Sequence, residues 1–152
     1  MIGPGELVGW LWSPSETSVV IPAGREAVFR VIEDPTTYPD WLAGAQAIRS
    51  VDAAFPAKGA EFHHEVGPAE AVTIADDTVS KGADAPGELG LRVHAGPFTG
   101  DVQFLLEEVG GGTLVRLRER AVGGWAPLMP ILRAVLYARN KASLERLKSQ
   151  LA

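Results

Sequence analysis

The chain of 152 residues contains no cysteine, which excludes disulfides, thiolate metal sites and cysteine nucleophiles. It has no basic excess. With 14 Lys and Arg against 19 Asp and Glu, the net charge of −5 argues against a general nucleic-acid binder. It has no long apolar run either. The opening MIGPGELVGWLW lacks a basic leader and a continuous hydrophobic stretch, so a secretory signal is not expected. The apolar stretch near 126–138 carries Pro127, Pro130 and Arg133 and is too short to span a bilayer, so stable membrane insertion is not expected. A cytoplasmic protein follows as the expectation. There is no repeat and no low-complexity tract. What is left reads as a single domain over 1–152, long enough to bury about two-thirds of its unfolded surface without a staple.

Recognisable catalytic motifs are equally scarce. The glycines at 110–112 lack the lysine and the strand–loop–helix setting of a phosphate loop, and a hairpin turn explains them. No serine sits in a G-x-S-x-G elbow. His63 and His64 are neighbours in a strand and point to opposite faces, so they cannot hold one ion together; no metal and no cofactor are expected.

The most informative segment is 17–44, TSVVIPAGREAVFRVIEDPTTYPDWLAG. Ser18 to Ile21 reads as a short strand ending at Pro22. Glu26 suits the start of a helix, and Val28, Phe29 and Ile32 share one face of it. Asp34 is placed to cap a new turn with Pro35 at its first position. Pro39 interrupts again, and Trp41-Leu42 follows. Two short helices directly after an edge strand make a lid, which implies that the chain encloses something.

From about residue 46 the hydrophobic period changes to two. Phe62, His64 and Val66 oppose Glu61, His63 and Glu65. Leu89, Leu91 and Val93 oppose Gly90, Arg92 and His94, and Val102, Phe104 and Leu106 oppose Asp101, Gln103 and, less cleanly, Leu105. Val115, Leu117 and Glu119 oppose Arg116, Arg118 and Arg120. This is an antiparallel sheet with one wet and one dry face. Gly123-Gly124 ends the last strand. A helix is predicted from about 127 to 150, with Leu136, Tyr137, Asn140, Leu144, Leu147 and Leu151 in one stripe. The dry face and the stripe must bury each other, which gives α+β.

At this point the chain resembles the START-related, Bet v 1-like (SRPBCC) superfamily with its helix-grip fold, and within it the bacterial polyketide cyclase/dehydrase-like and lipid-transport-like proteins. The resemblance rests on VVIPAGREAVFRVIEDPTTYPDW, IRSVDAAFPAKGAEFHHEVG, GGGTLVRLRE and ARNKASLERLKSQL, spanning about 17 to 151. It implies a curved sheet wrapped around the C-terminal helix, an apolar cavity between them, and ligands such as lipids, sterols or polyketides. Residues 1–15, with Trp10 and Trp12, fall outside it and are expected to form an N-terminal extension, an edge strand or a homodimer contact.

On this reading Phe62, Leu91, Val93, Phe104, Leu117 and Leu136 wall the cavity, and Tyr38 and Trp41 line its entrance. His64 and Glu119 are ionisable residues at inward positions of apolar strand faces. Such groups need partners and cluster at functional sites. They are the candidate acid/base pair or polar anchor, against the plainer reading of a structural pair or of a Glu119 that reaches solvent. Asn140, the chain's only asparagine, lies on the helix stripe within reach of a ligand or of the sheet. The expected partner is a small hydrophobic molecule. Three functions follow: a carrier or sensor, a polyketide aromatase/cyclase or dehydratase, and, more weakly, an interaction domain whose cavity is filled.

Overall fold

The computed structural model describes residues 11–69, 72–95 and 97–152, with the side chains of 65–69 and 72–75 excepted. The expectations for Trp10, Glu65 and Val66 lie outside the described residues.

β1 (Ser15–Ile21) runs into helix α1 (Arg25–Ile32), a 3-10 turn (Pro35–Thr37) and the short helix α2 (Tyr38–Trp41). Six strands follow: β2 (Ala45–Val51), β3 (Glu61–Ala69), β4 (Val72–Asp84), β5 (Glu88–Ala95), β6 (Phe98–Val109) and β7 (Gly112–Val122). A second 3-10 segment (Gly123–Leu128) leads into α3 (Met129–Leu151). The sheet order is β1-β7-β6-β5-β4-β3-β2, antiparallel throughout. This is the α+β helix-grip architecture, with β1 and β2 as the edges.

Local chemistry accounts for the elements. Asp34 accepts hydrogen bonds from the Thr36 amide at 3.0 Å and its hydroxyl at 2.6 Å, capping the turn that Pro35 begins. In β7 every second residue from Thr113 to Ala121 is buried, and the arginines between them stand outward. Gly112 tolerates no side chain, because a Cβ there would overlap the Ile21 carbonyl. The chain therefore turns from β6 into β7 directly under the end of β1.

Of residues 1–15, expected as an N-terminal extension, an edge strand or a homodimer contact, 1–10 lie outside the described residues; Leu11 and Trp12 are helical, and β1 begins at Ser15. The last helix also starts two residues later than predicted, because Gly123–Leu128 winds as a 3-10 segment around Pro127. The buried face of α3 is Met129, Leu136, Asn140, Ser143, Leu144 and Leu147, set against β1 and β7. Tyr137 does not belong to it. One residue beyond Leu136 is a rotation of about 100°, and Tyr137 is 48% exposed. Fully burying Leu144 and Leu147 contributes about 1.5–3 kcal/mol each. The opposite face of α3 is also apolar at Ile131 and Val135, both exposed. No helix among the described residues is long and apolar enough to cross a membrane.

Candidate functional site

The lid is held by its own side chains. The Tyr38 hydroxyl donates to the Ile32 carbonyl at the end of α1, and Trp41 Nε1 donates to Thr37 Oγ1 at 3.0 Å. The Tyr38 ring packs edge-on against Trp41 at 5.2 Å and Phe62 at 5.5 Å. Burial, followed by the nearby Asp34 and Glu33 carboxylates, holds the Tyr38 hydroxyl well above its ordinary pKa. Its ring lines the interior while its hydroxyl is committed to α1. Trp41 departs from the expectation. It is fully buried, stands edge-on to Phe104 at 6.0 Å, and contributes no cavity wall. The short helix turns its indole into the core and leaves Tyr38, Pro39 and the following loop at the opening.

Between lid, sheet and α3 lies a cavity of about 900 Å³, within the range of small-molecule sites. Phe62, Leu91, Val93, Val102, Phe104 and Leu117 form its apolar walls. Leu136, expected among them, instead joins Ala121 and Met129 in a separate core cluster near the start of α3.

Two buried polar pairs face this cavity. Asn140 Nδ2 donates to Glu119 Oε1 at 3.0 Å, joining α3 to β7. Burial raises the Glu119 pKa, and the Asn140 hydrogen bond and the Arg139 charge only partly oppose it. The second pair is His64 on β3 with Asp76 on β4, Nε2 to Oδ2 at 2.8 Å. The distance is that of an ion pair, but the approach is off hydrogen-bond alignment. Both Asp76 oxygens and His64 Nδ1 are buried without an aligned partner. His64 Nε2 also lies 3.3 Å from Thr78 Oγ1. His64 and Glu119, whose contact the sequence leaves open, therefore have different partners. Asp76 and Glu119 are carried by strands three positions apart, about 14 Å along the curved sheet.

Asp76 was missed because β4 inverts the usual pattern. Its inward row is Asp76, Thr78 and Ser80, all buried, and Asp77 points outward. The available signal was strict alternation of short polar residues beside an outward acid.

At the opening the exposed wall residues are Pro39, Arg139 and Arg146. Arg139 Nη2 donates to the Ala43 carbonyl at 3.1 Å, and the Ala43 amide donates to Ser143 Oγ at 2.9 Å. Gln150 Nε2 donates to the Asp40 carbonyl at 3.1 Å. Three side chains of α3 thus clip the lid and its exit loop. Gly44 turns that loop at φ +86°, where a Cβ would stand 3.3 Å from Arg139 Nη2. On the outer sheet face His63 pairs with Asp77, and the Asp77 carboxyl is held below its ordinary pKa, chiefly by that hydrogen bond. No group of three metal-ligating side chains occurs among the described residues.

The family described as polyketide cyclase/dehydrase and lipid transport matches residues 15–152. Among solved structures, a protein of Rhodobacter sphaeroides superposes with a TM-score of 0.75 at 18% identity, covering 99% of this chain and 96% of its own. The di-domain ARO/CYC StfQ of the steffimycin biosynthetic pathway has a TM-score of 0.72 at 11% identity, over 92% of this chain and 51% of that one. DynU16, from the dynemicin biosynthetic locus, has a TM-score of 0.65 at 18% identity, over 91% and 47% respectively. At these identities the likeness is one of fold. No curated protein matches significantly.

Proposed function

The chain belongs to the polyketide cyclase/dehydrase and lipid transport family, and from that premise we propose that it binds a small hydrophobic, oxygen-bearing molecule in its internal cavity, as a carrier or sensor. The observation that carries this reading is the distribution of polarity on the walls. An apolar middle, Leu91, Val93, Phe104 and Leu117, separates the Glu119–Asn140 pair from the His64–Asp76 pair. A lipid-like or aromatic body fits the middle, where its burial is favourable. Its oxygens would meet Glu119 and Asn140. With its pKa raised, Glu119 suits the role of a carboxylic acid that donates a hydrogen bond. Native mass spectrometry of freshly purified protein is the direct test. An added mass that is lost on delipidation and displaced by a neutral dye supports the reading. A protein that neither carries nor takes up any apolar compound overturns it.

A second reading, polyketide cyclisation or dehydration, is favoured by the His64–Asp76 pair and by the biosynthetic setting of StfQ and DynU16. His64 would act as acid/base, with Asp76 holding the ring in position, and the cavity would fold the substrate towards its reacting shape. Regiospecific cyclisation of a poly-β-keto substrate that collapses in His64→Ala would move the protein from the carrier class to the enzymes.

A further inference from the structure

The charges that line the cavity are segregated. The acids, Glu119 and Asp76, are buried inside, one with its pKa raised by burial and the other beside His64. The lining cations other than histidine, Arg139 and Arg146, both stand on α3 at the opening and both are exposed. They are seven residues apart, two helical turns and about 10.5 Å along one face. Arg139 is anchored through Nη2 to the Ala43 carbonyl, which holds its guanidinium against the lid loop. The Arg146 guanidinium makes no hydrogen bond or ion pair among the described residues, in contrast to Arg92, Arg116 and Arg118, which are all paired with carboxylates on the outer sheet face. A chain of net charge −5 therefore offers an arginine pair to whatever enters this cavity.

We infer that the ligand is an amphipathic anion: an apolar body inside, and a carboxylate or phosphate at the opening between Arg139 and Arg146. The inference rests on the cavity being a binding site and adds the chemical class of its occupant. Guanidinium groups present planar forks of donors that match both anions. A carboxylate deep inside would lose its hydration beside the Asp76 and Glu119 carboxyls, whereas at the opening it keeps part of its hydration and gains the arginines. The arrangement also fixes orientation, with the apolar end entering first and the charged end last.

Displacement of the neutral dye Nile red tests this with matched ligands: a long-chain carboxylic acid, its methyl ester, the corresponding alcohol and the corresponding alkyl phosphate. For the wild type the acid or the phosphate should displace dye at about tenfold lower concentration than the ester or the alcohol, or about 1.4 kcal/mol. Whichever anion leads identifies the headgroup. The preference should shrink as salt is raised. In Arg146→Gln, and further in the Arg139→Gln/Arg146→Gln double variant, the acid-to-ester ratio should fall towards one. Arg116→Gln, on the outer face, should leave it unchanged. Equal displacement by acid and ester in the wild type, or a preference that persists in the double variant, overturns the inference while leaving the binding site intact. Failure of Nile red and of all four ligands to bind overturns the proposed function itself.

Discussion

Asn140 on α3 donates to Glu119 on β7 at 3.0 Å, and both side chains are buried. This hydrogen bond ties the gripped helix to the sheet at the level where the cavity begins. It also places a carboxyl group where its charged form is disfavoured. Because burial raises the Glu119 pKa, the folded state holds a proton that the unfolded chain has already released. Glu119 thus lowers stability as pH rises from the ordinary carboxylate value of 4.5 through the raised folded value, and the loss is then constant. Glu119→Gln keeps an oxygen to accept from Asn140 and has no charge to bury. The variant should match the wild type at acid pH and exceed it above that window, within the about 0.5–2 kcal/mol usual for a stabilising substitution. Urea midpoints measured from pH 4 to pH 8 check this. A gap that widens towards acid pH would contradict it.

The His64–Asp76 pair predicts a different pattern. Both side chains are almost fully buried, so removing one partner strands the other. His64→Leu or Asp76→Leu alone should cost about 3–5 kcal/mol, whereas the double change should cost less than the two singles combined, because no uncompensated polar group remains. Urea denaturation of the four proteins gives the coupling directly. Additive losses would mean that the contact of 2.8 Å carries no coupling energy.

The architecture was legible where pattern and burial coincide. β7 shows this best: arginine at 116, 118 and 120 left only one parity for Val115, Leu117 and Glu119. The lid was legible through Asp34-Pro35 and the aromatics behind it. β4 was not, because its inward row is Asp76, Thr78 and Ser80, which in isolation resembles a solvated edge. With β4 unread, His64 has no visible partner, and whether it meets Glu119 depends on a register the sequence does not show. Trp41 and Leu136 failed for a related reason. Each is inward, but inward residues divide between cavity wall and solid core, and that division depends on how far the lid and α3 stand from the sheet.

If the cavity is a ligand site rather than a packing fault, filling it should suppress binding without weakening the fold. Val93 is half-buried on β5 and lines the cavity. Val93→Phe extends into existing space, so it avoids the overpacking cost of a filled core. The melting midpoint should move by only a few degrees, while the concentration of Nile red needed for half-saturation rises about tenfold or more. A fall in melting temperature of more than about 10 °C would mean that the space closes in solution.

The last prediction concerns access. Ser143 Oγ accepts from the Ala43 amide at 2.9 Å and donates to the Arg139 carbonyl at 3.0 Å, so one hydroxyl joins the lid's exit loop to the middle of α3. Ser143 is buried, and its loss leaves the Ala43 amide without its partner. Ser143→Ala should therefore lower stability by about 1 kcal/mol. The Gln150 bond to the Asp40 carbonyl is exposed, so Gln150→Ala should cost less. The kinetic consequence is sharper than the thermodynamic one. If the loop must lift for a ligand to pass, weakening its closed state by about 1 kcal/mol raises the open population about fivefold. Entry and exit should then accelerate together, so stopped-flow release of Nile red quickens about fivefold while its equilibrium affinity changes little. Slower or unchanged release from a destabilised Ser143→Ala protein would show that the ligand passes elsewhere and that the clip serves only the fold.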